Sequence, residues 1–139
     1  MQLPTDLQHF PNGALLVASD TTKASFFLLG GDSLEELDGV SLAKENGADG
    51  EGSIEFFPDD TARLQAFVKL LAEHITTLKR DHQIAHIHLV MPAEIEHDVS
   101  KHLATDTQSV VGVKLHHDVM NESPLDIVRR VVGEMGHAS

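Results

Sequence analysis

Apolar residues recur along this chain with two different periods, and the alternation between them predicts the fold. "ALLVAS", Ala14 to Ser19, is a continuous apolar run of strand length, as expected of a strand buried on both faces. A short polar turn at Asp20 to Thr22 leads to "KASFFLL", Lys23 to Leu29, so these two strands should pair as an antiparallel hairpin. Gly30, Gly31 and Asp32 make the next turn. "SLEELDGVSL", Ser33 to Leu42, then reads as a third strand with a bulge at Gly39.

The period changes after Pro58. Asp59 and Asp60 supply a cap and negative charge at a helix N-terminus. Leu64, Phe67, Val68, Leu71, Ile75 and Leu78 follow at helical spacing, with Lys79 and Arg80 near the C-terminus. "QIAHIHLVM", Gln83 to Met91, returns to a strand pattern. Pro92 then suits the first turn of a helix whose apolar stripe is Ile95, Val99 and Leu103. "SVVGVKL", Ser109 to Leu115, is a fifth strand. Ser123, Pro124 and Asp126 form a capping signature for a last helix that Gly136 should end. The order is β-β-β-α-β-α-β-α. Strands separated by helices should be parallel, and the opening meander antiparallel beside them. The expectation is one α/β domain over residues 1–139, with its core in 14–135, a mixed five-stranded sheet and helices on the sheet faces.

Composition narrows the function classes. The chain has no cysteine, which removes disulfides, thiolate nucleophiles and cysteine-zinc sites. No apolar run is long enough to cross a bilayer, and "MQLPTDLQHF" lacks the basic and apolar regions of a signal peptide, so a cytoplasmic location is expected. The net charge of -12 is uneven: residues 1–60 set two lysines against twelve acids, whereas residues 61–139 set eight basic against ten acidic residues. An acidic half repels phosphate backbones, so direct nucleic-acid binding is not expected.

The acidity peaks in "NGADGEGSIEFFPDD", residues 46–60, between the third strand and the first long helix. Gly47, Gly50 and Gly52 raise the entropy cost of order there, and Asp49 and Glu51 have no base nearby in sequence. Residues 45–55 therefore read as a flexible loop. Phe56 and Phe57 are either a hook for a protein partner or an anchor under the following helix. No Walker A, G-x-S-x-G or G-x-G-x-x-G motif occurs.

Two groups of side chains invite a metal reading. Asp20, Glu94, His116, His117 and Asp118 all fall just past the ends of strands that should share a direction, where they could meet on a divalent ion. The plainer expectation is that they cap helices and close turns. His86 and His88 alternate with Ile87 and Leu89, so both should face one side of the fourth strand. A metal needs a third ligand, which the sequence does not place, and two histidines hydrogen-bonded under a helix are the expected outcome. The working expectation is no cofactor, with a divalent metal as the alternative.

The element order is ribonuclease H-like. "LLVASDTTKASFFLL", Leu15 to Leu29, and "VVGVKLHHDVMNESPLDIVRRV", Val110 to Val131, resemble the central domain of archaeal and eukaryotic class 1 release factors and Pelota, and most of all its bacterial relatives, the host attachment protein family. "IAHIHLVMPAEIEHDVSKHL" fits the same pattern between them. In release factors of this class a GGQ tripeptide on the loop after the third strand helps water attack the peptidyl-tRNA ester. Here that place reads Gly47-Ala48-Asp49-Gly50-Glu51-Gly52-Ser53, and no GGQ occurs in the chain. The resemblance therefore implies a non-catalytic domain that is translation-associated or binds a protein or ribosome-associated partner. The alternatives are a metal-dependent hydrolase or nuclease on the sheet edge, and a small homodimeric accessory protein without ligand.

Overall fold

The computed structural model describes residues 1–11, 13–41 and 60–137. Its centre is strand β1, Ala14–Ser19, in which all six residues are buried. β2, Lys23–Gly30, pairs antiparallel with β1, and β3, Ser33–Ser41, pairs antiparallel with β2. On the other side β4, Ile87–Val90, runs parallel to β1, and β5, Val111–Leu115, runs parallel to β4. The sheet order is β3-β2-β1-β4-β5, the mixed five-stranded sheet expected from the pattern.

Alternation along the strands builds a core on each face. Leu15, Val17, Phe26, Ile87 and Leu89 point to one side. There they meet Phe67, Leu71 and Ile75 of α1, Asp60–His82, and Ile95 and Val99 of α2, Ala93–His102. Leu16, Ala18, Phe27, Leu29, Val90 and Val113 point to the other side and meet Ile127, Val128 and Val131 of α4, Pro124–His137. A short helix, α3, Thr105–Gln108, lies between α2 and β5. Each fully buried side chain of this size contributes about 1.5–3 kcal/mol.

The N-terminal segment completes the second core. Leu3, Leu7 and Phe10 are buried with α4 and the sheet, around a single 3-10 turn at Thr5–Leu7. The chain is held there by the bridge of Gln2 to Ser33 and by the Leu3 N–H, which donates to the Asp32 carbonyl at 2.7 Å.

Several boundaries differ from the pattern. The fourth strand begins at Ile87 rather than Gln83. Gln83 has φ 53°, a left-handed conformation that ends α1, and the Ile84 N–H donates back to the Lys79 carbonyl at 3.1 Å. This is the Schellman arrangement, with Ile84 tucked into the core as the chain turns. At the other end, α4 continues through Gly136 to His137. A glycine costs a helix only about 1 kcal/mol, which does not stop one whose inner stripe is buried.

Both irregularities in the sheet depend on a glycine. In β3, Asp38 and Gly39 together face Ser25, so the expected bulge is present. A Cβ on Gly39 would run into the Ala24 carbonyl oxygen. In β5, Gly112 and Val113 together face His88, because Ile87 pairs with Val111 and Leu89 with Lys114.

Candidate functional site

β1, β4 and β5 share a direction, so Asp20, the α2 N-terminus and His116 all lie past the same edge of the sheet. Such edges are where open α/β sheets most often place their ligands. The five residues singled out there do not meet at one point, and three of them are held by separate partners. Asp20 closes the β1–β2 turn: its Oδ1 accepts from the Thr22 N–H at 2.7 Å, the Lys23 N–H at 2.8 Å and the Thr22 hydroxyl at 3.0 Å. Asp118 Oδ1 accepts from the Met120 N–H at 3.2 Å in the segment that leads to α4. Glu94 and His117 are exposed. Among the described residues, no three His, Asp or Glu side chains converge as a metal-binding group.

His116 does find a partner, but it is Glu96 rather than Glu94. Glu96 is 7% exposed in the first turn of α2. Its Oε1 lies 2.8 Å from His116 Nε2, its Oε2 accepts from the Ser100 hydroxyl at 2.6 Å, and Lys114 Nζ stands 3.6 Å away. Burial pushes this carboxyl up, yet the hydrogen bonds from Ser100 and His116 and the charge of Lys114 outweigh it and hold the group below the ordinary carboxylate value. The result is an ionised carboxylate wedged between α2 and β5, orienting a half-exposed imidazole at the sheet edge. The order of contacts rules out a nucleophilic triad. Such a triad needs the hydroxyl on the imidazole, whereas Ser100 donates to the carboxylate.

Glu96 carried a signal in the sequence. It shares a helix face with Val99, Ser100 and Leu103 at spacings of three, four and seven, so a charge there had to be partly buried. Its first-turn position let it pass for a dipole-stabilising residue. Further along the same edge, Glu122 takes a two-pronged contact from Arg130, with 2.8 Å from Nε to Oε1 and 2.7 Å from Nη2 to Oε2. The Arg130 hydrogen bonds draw the Glu122 carboxyl below its ordinary value. This pair holds the segment after β5 to α4. The Ser123 hydroxyl accepts the Asp126 N–H at 3.2 Å and caps that helix, as its S-x-x-D signature predicts.

The two histidines differ in burial. His86 is exposed and precedes the strand, contributing its carbonyl to the Leu15 N–H at 2.9 Å. His88 is 5% exposed on the α4 side of the sheet. Its Nδ1 accepts the Val113 N–H at 3.1 Å, and its ring meets Phe10 edge-on, with centroids 5.7 Å apart. Burial first, and the neighbouring His86 charge second, push this imidazole down to about 4. Gly47, Asp49, Gly50, Glu51, Gly52, Phe56 and Phe57, expected to form a loop or partner site, lie outside the described residues.

No family model and no curated protein matches the chain. Among solved structures, it is similar to the archaeal translation termination factor aRF1, with a TM-score of 0.56 and 12% identity over 91% of this chain and 39% of that one. It is also similar to a structure described only as an archaeal protein, with a TM-score of 0.55 and 15% identity over 91% of this chain and 39% of that one. The chain thus spans well under half the length of the proteins it resembles. At this level of identity the likeness is one of fold: the mixed sheet and its flanking helices form an α/β domain like one found in a translation termination factor.

Proposed function

We propose that this chain is a non-catalytic, release-factor-like domain that works in association with translation by binding a protein or ribosome-associated partner. One observation carries the reading: nearly the whole chain follows the fold of part of a termination factor, while its sequence contains no GGQ. The acidic stretch at the corresponding position argues in the same direction. A tip that enters an RNA-lined centre cannot carry Asp49 and Glu51 without repulsion. The stretches Leu15 to Leu29 and Val110 to Val131 support a finer placement among the bacterial host attachment relatives, and a cytoplasmic location accords with it. Phe56 and Phe57 are the proposed partner contacts, because an aromatic pair next in sequence to a run of acidic residues could supply a hydrophobic anchor with a polar rim.

The test is an affinity purification from native lysate in which ribosomal subunits and individual proteins are both quantified against a Phe56→Ser/Phe57→Ser variant. Recovery of ribosomes or a translation factor with the native chain, reduced at least several-fold in the variant, is the expected result. Equal recovery with both chains refutes the aromatic contact, and recovery of neither class refutes the association with translation. A parallel assay of peptidyl-tRNA hydrolysis should give no release above the factor-free background; release would overturn the non-catalytic reading.

A further inference from the structure

His88 occupies an unusual place in the sheet. It sits opposite two residues of β5, and its side chain supplies an acceptor for the Val113 N–H at the bulge. That bond requires an unprotonated Nδ1, so the buried ring is the neutral form with its proton on Nε2. Gly112 makes the arrangement possible, since a Cβ there would stand 3.0 Å from His88 Cε1 and 3.2 Å from Nδ1. Phe10 closes the other side of the ring. One imidazole therefore joins the N-terminal segment, β4 and the sheet-edge strand β5.

We propose that the His88–Val113 hydrogen bond is a proton-operated latch: a proton on Nδ1 breaks it and frees β5, with the segment that follows, from the edge of the sheet. The consequence reaches the other face, because β5 carries Lys114 and leads to His116, both of which hold Glu96. The groups around His88 favour the neutral state. On its own chain segment, His86 adds a like charge. On the N-terminal segment, Asp6 and His9 are exposed. On β5, Lys114 turns toward Glu96 on the opposite face. On α4, Asp126, Arg129, Arg130 and Glu134 are exposed. No carboxylate among the described residues is hydrogen-bonded to the ring to compensate a positive charge.

The depressed basicity supports the same direction. With the ring at about 4 in the folded chain against 6.5 when free, the latch is fully closed above 6.5 and loosens as pH falls toward 4. The decisive variant is His88→Asn, whose side-chain oxygen can take the place of Nδ1 as acceptor but does not titrate. Amide exchange followed by NMR should show protection of Val113 falling on the order of 100-fold more between pH 7 and pH 4 in the native chain than in His88→Asn. Parallel loss of protection in both chains overturns the proposal. Should the variant fail to fold, the native chain decides alone. The Val113 amide must then lose protection with the same midpoint as the His88 ring nitrogens, and separate midpoints refute the latch.

Discussion

Glu96 Oε1 and His116 Nε2 stand 2.8 Å apart, and through that contact the first turn of α2 is fastened to the residue that follows β5. The two side chains are twenty positions apart in sequence. The crossover from β4 through α2 to the parallel strand β5 brings them together, since it returns the chain to the same sheet edge. A nearly buried carboxylate is stable there only because Ser100, His116 and Lys114 satisfy it.

Glu96→Gln should therefore destabilise the fold by about 1–3 kcal/mol at neutral pH, the usual range for hydrogen bonds to a charged group. Because the native carboxyl is held below its ordinary value of 4.5, its contribution is present above that pH and disappears as pH falls through the lowered folded value. Urea unfolding of both chains from pH 7 to pH 3 checks this. The gap between them should close below pH 4.5, and a constant gap would mean that ionisation is not what Glu96 contributes.

Asp20 offers a contrast of role. All three of its hydrogen bonds enter Oδ1. Asp20→Asn keeps that acceptor and should unfold within about 0.5 kcal/mol of the native chain, whereas Asp20→Ala should lose about 1–2 kcal/mol. If the two variants were equally destabilised, the turn geometry would not be what Asp20 supplies.

The two bulge glycines should differ in sensitivity. A Cβ at Gly39 meets a backbone oxygen of β2, which cannot move without disturbing the ladder. Gly39→Ala is expected to cost about 1–3 kcal/mol. At Gly112 the obstacle is the His88 side chain, which would have to give by a few tenths of an ångström rather than a backbone atom having to move. Gly112→Ala should cost less than Gly39→Ala in thermal or urea unfolding, while shifting the His88 ring resonances and weakening protection of the Val113 amide.

The N-terminal segment should behave as part of the core. Leu7 is 2% exposed against α4 and the sheet, so Leu7→Ala should lose about 2–5 kcal/mol. A loss below 1 kcal/mol in urea unfolding would show that residues 1–11 rest on the domain without supporting it.

Where chemistry and period agreed, the sequence was legible. The unbroken apolar run of β1, the stripe of α1 and the capping residues Ser123 and Pro124 each point to one local structure. The end of α1 was not legible, because the left-handed turn falls on Gln83 rather than on a glycine. The N-terminal segment was missed for another reason. Leu3, Leu7 and Phe10 lie in a proline-containing stretch without period, and only tertiary packing shows that they are core. The alternative of a cluster past the strand ends was half visible. His116 could be named, but its partner Glu96 resembled any acid at a helix start, and only the crossover reveals the contact.

The position of β1 also sets an order of assembly. It pairs with β2 across a three-residue turn, but with β4 only after the whole of α1 has been traversed. Closing the first contact loses little chain entropy, and closing the second loses more. The β1–β2–β3 meander can thus gather early, while β4 and β5 dock late onto a strand already half covered. His88, Glu96 and His116 all belong to that late-docking half. On this ordering their chemistry should exist only after the late pairing is complete, and local opening should reach it before it reaches the meander.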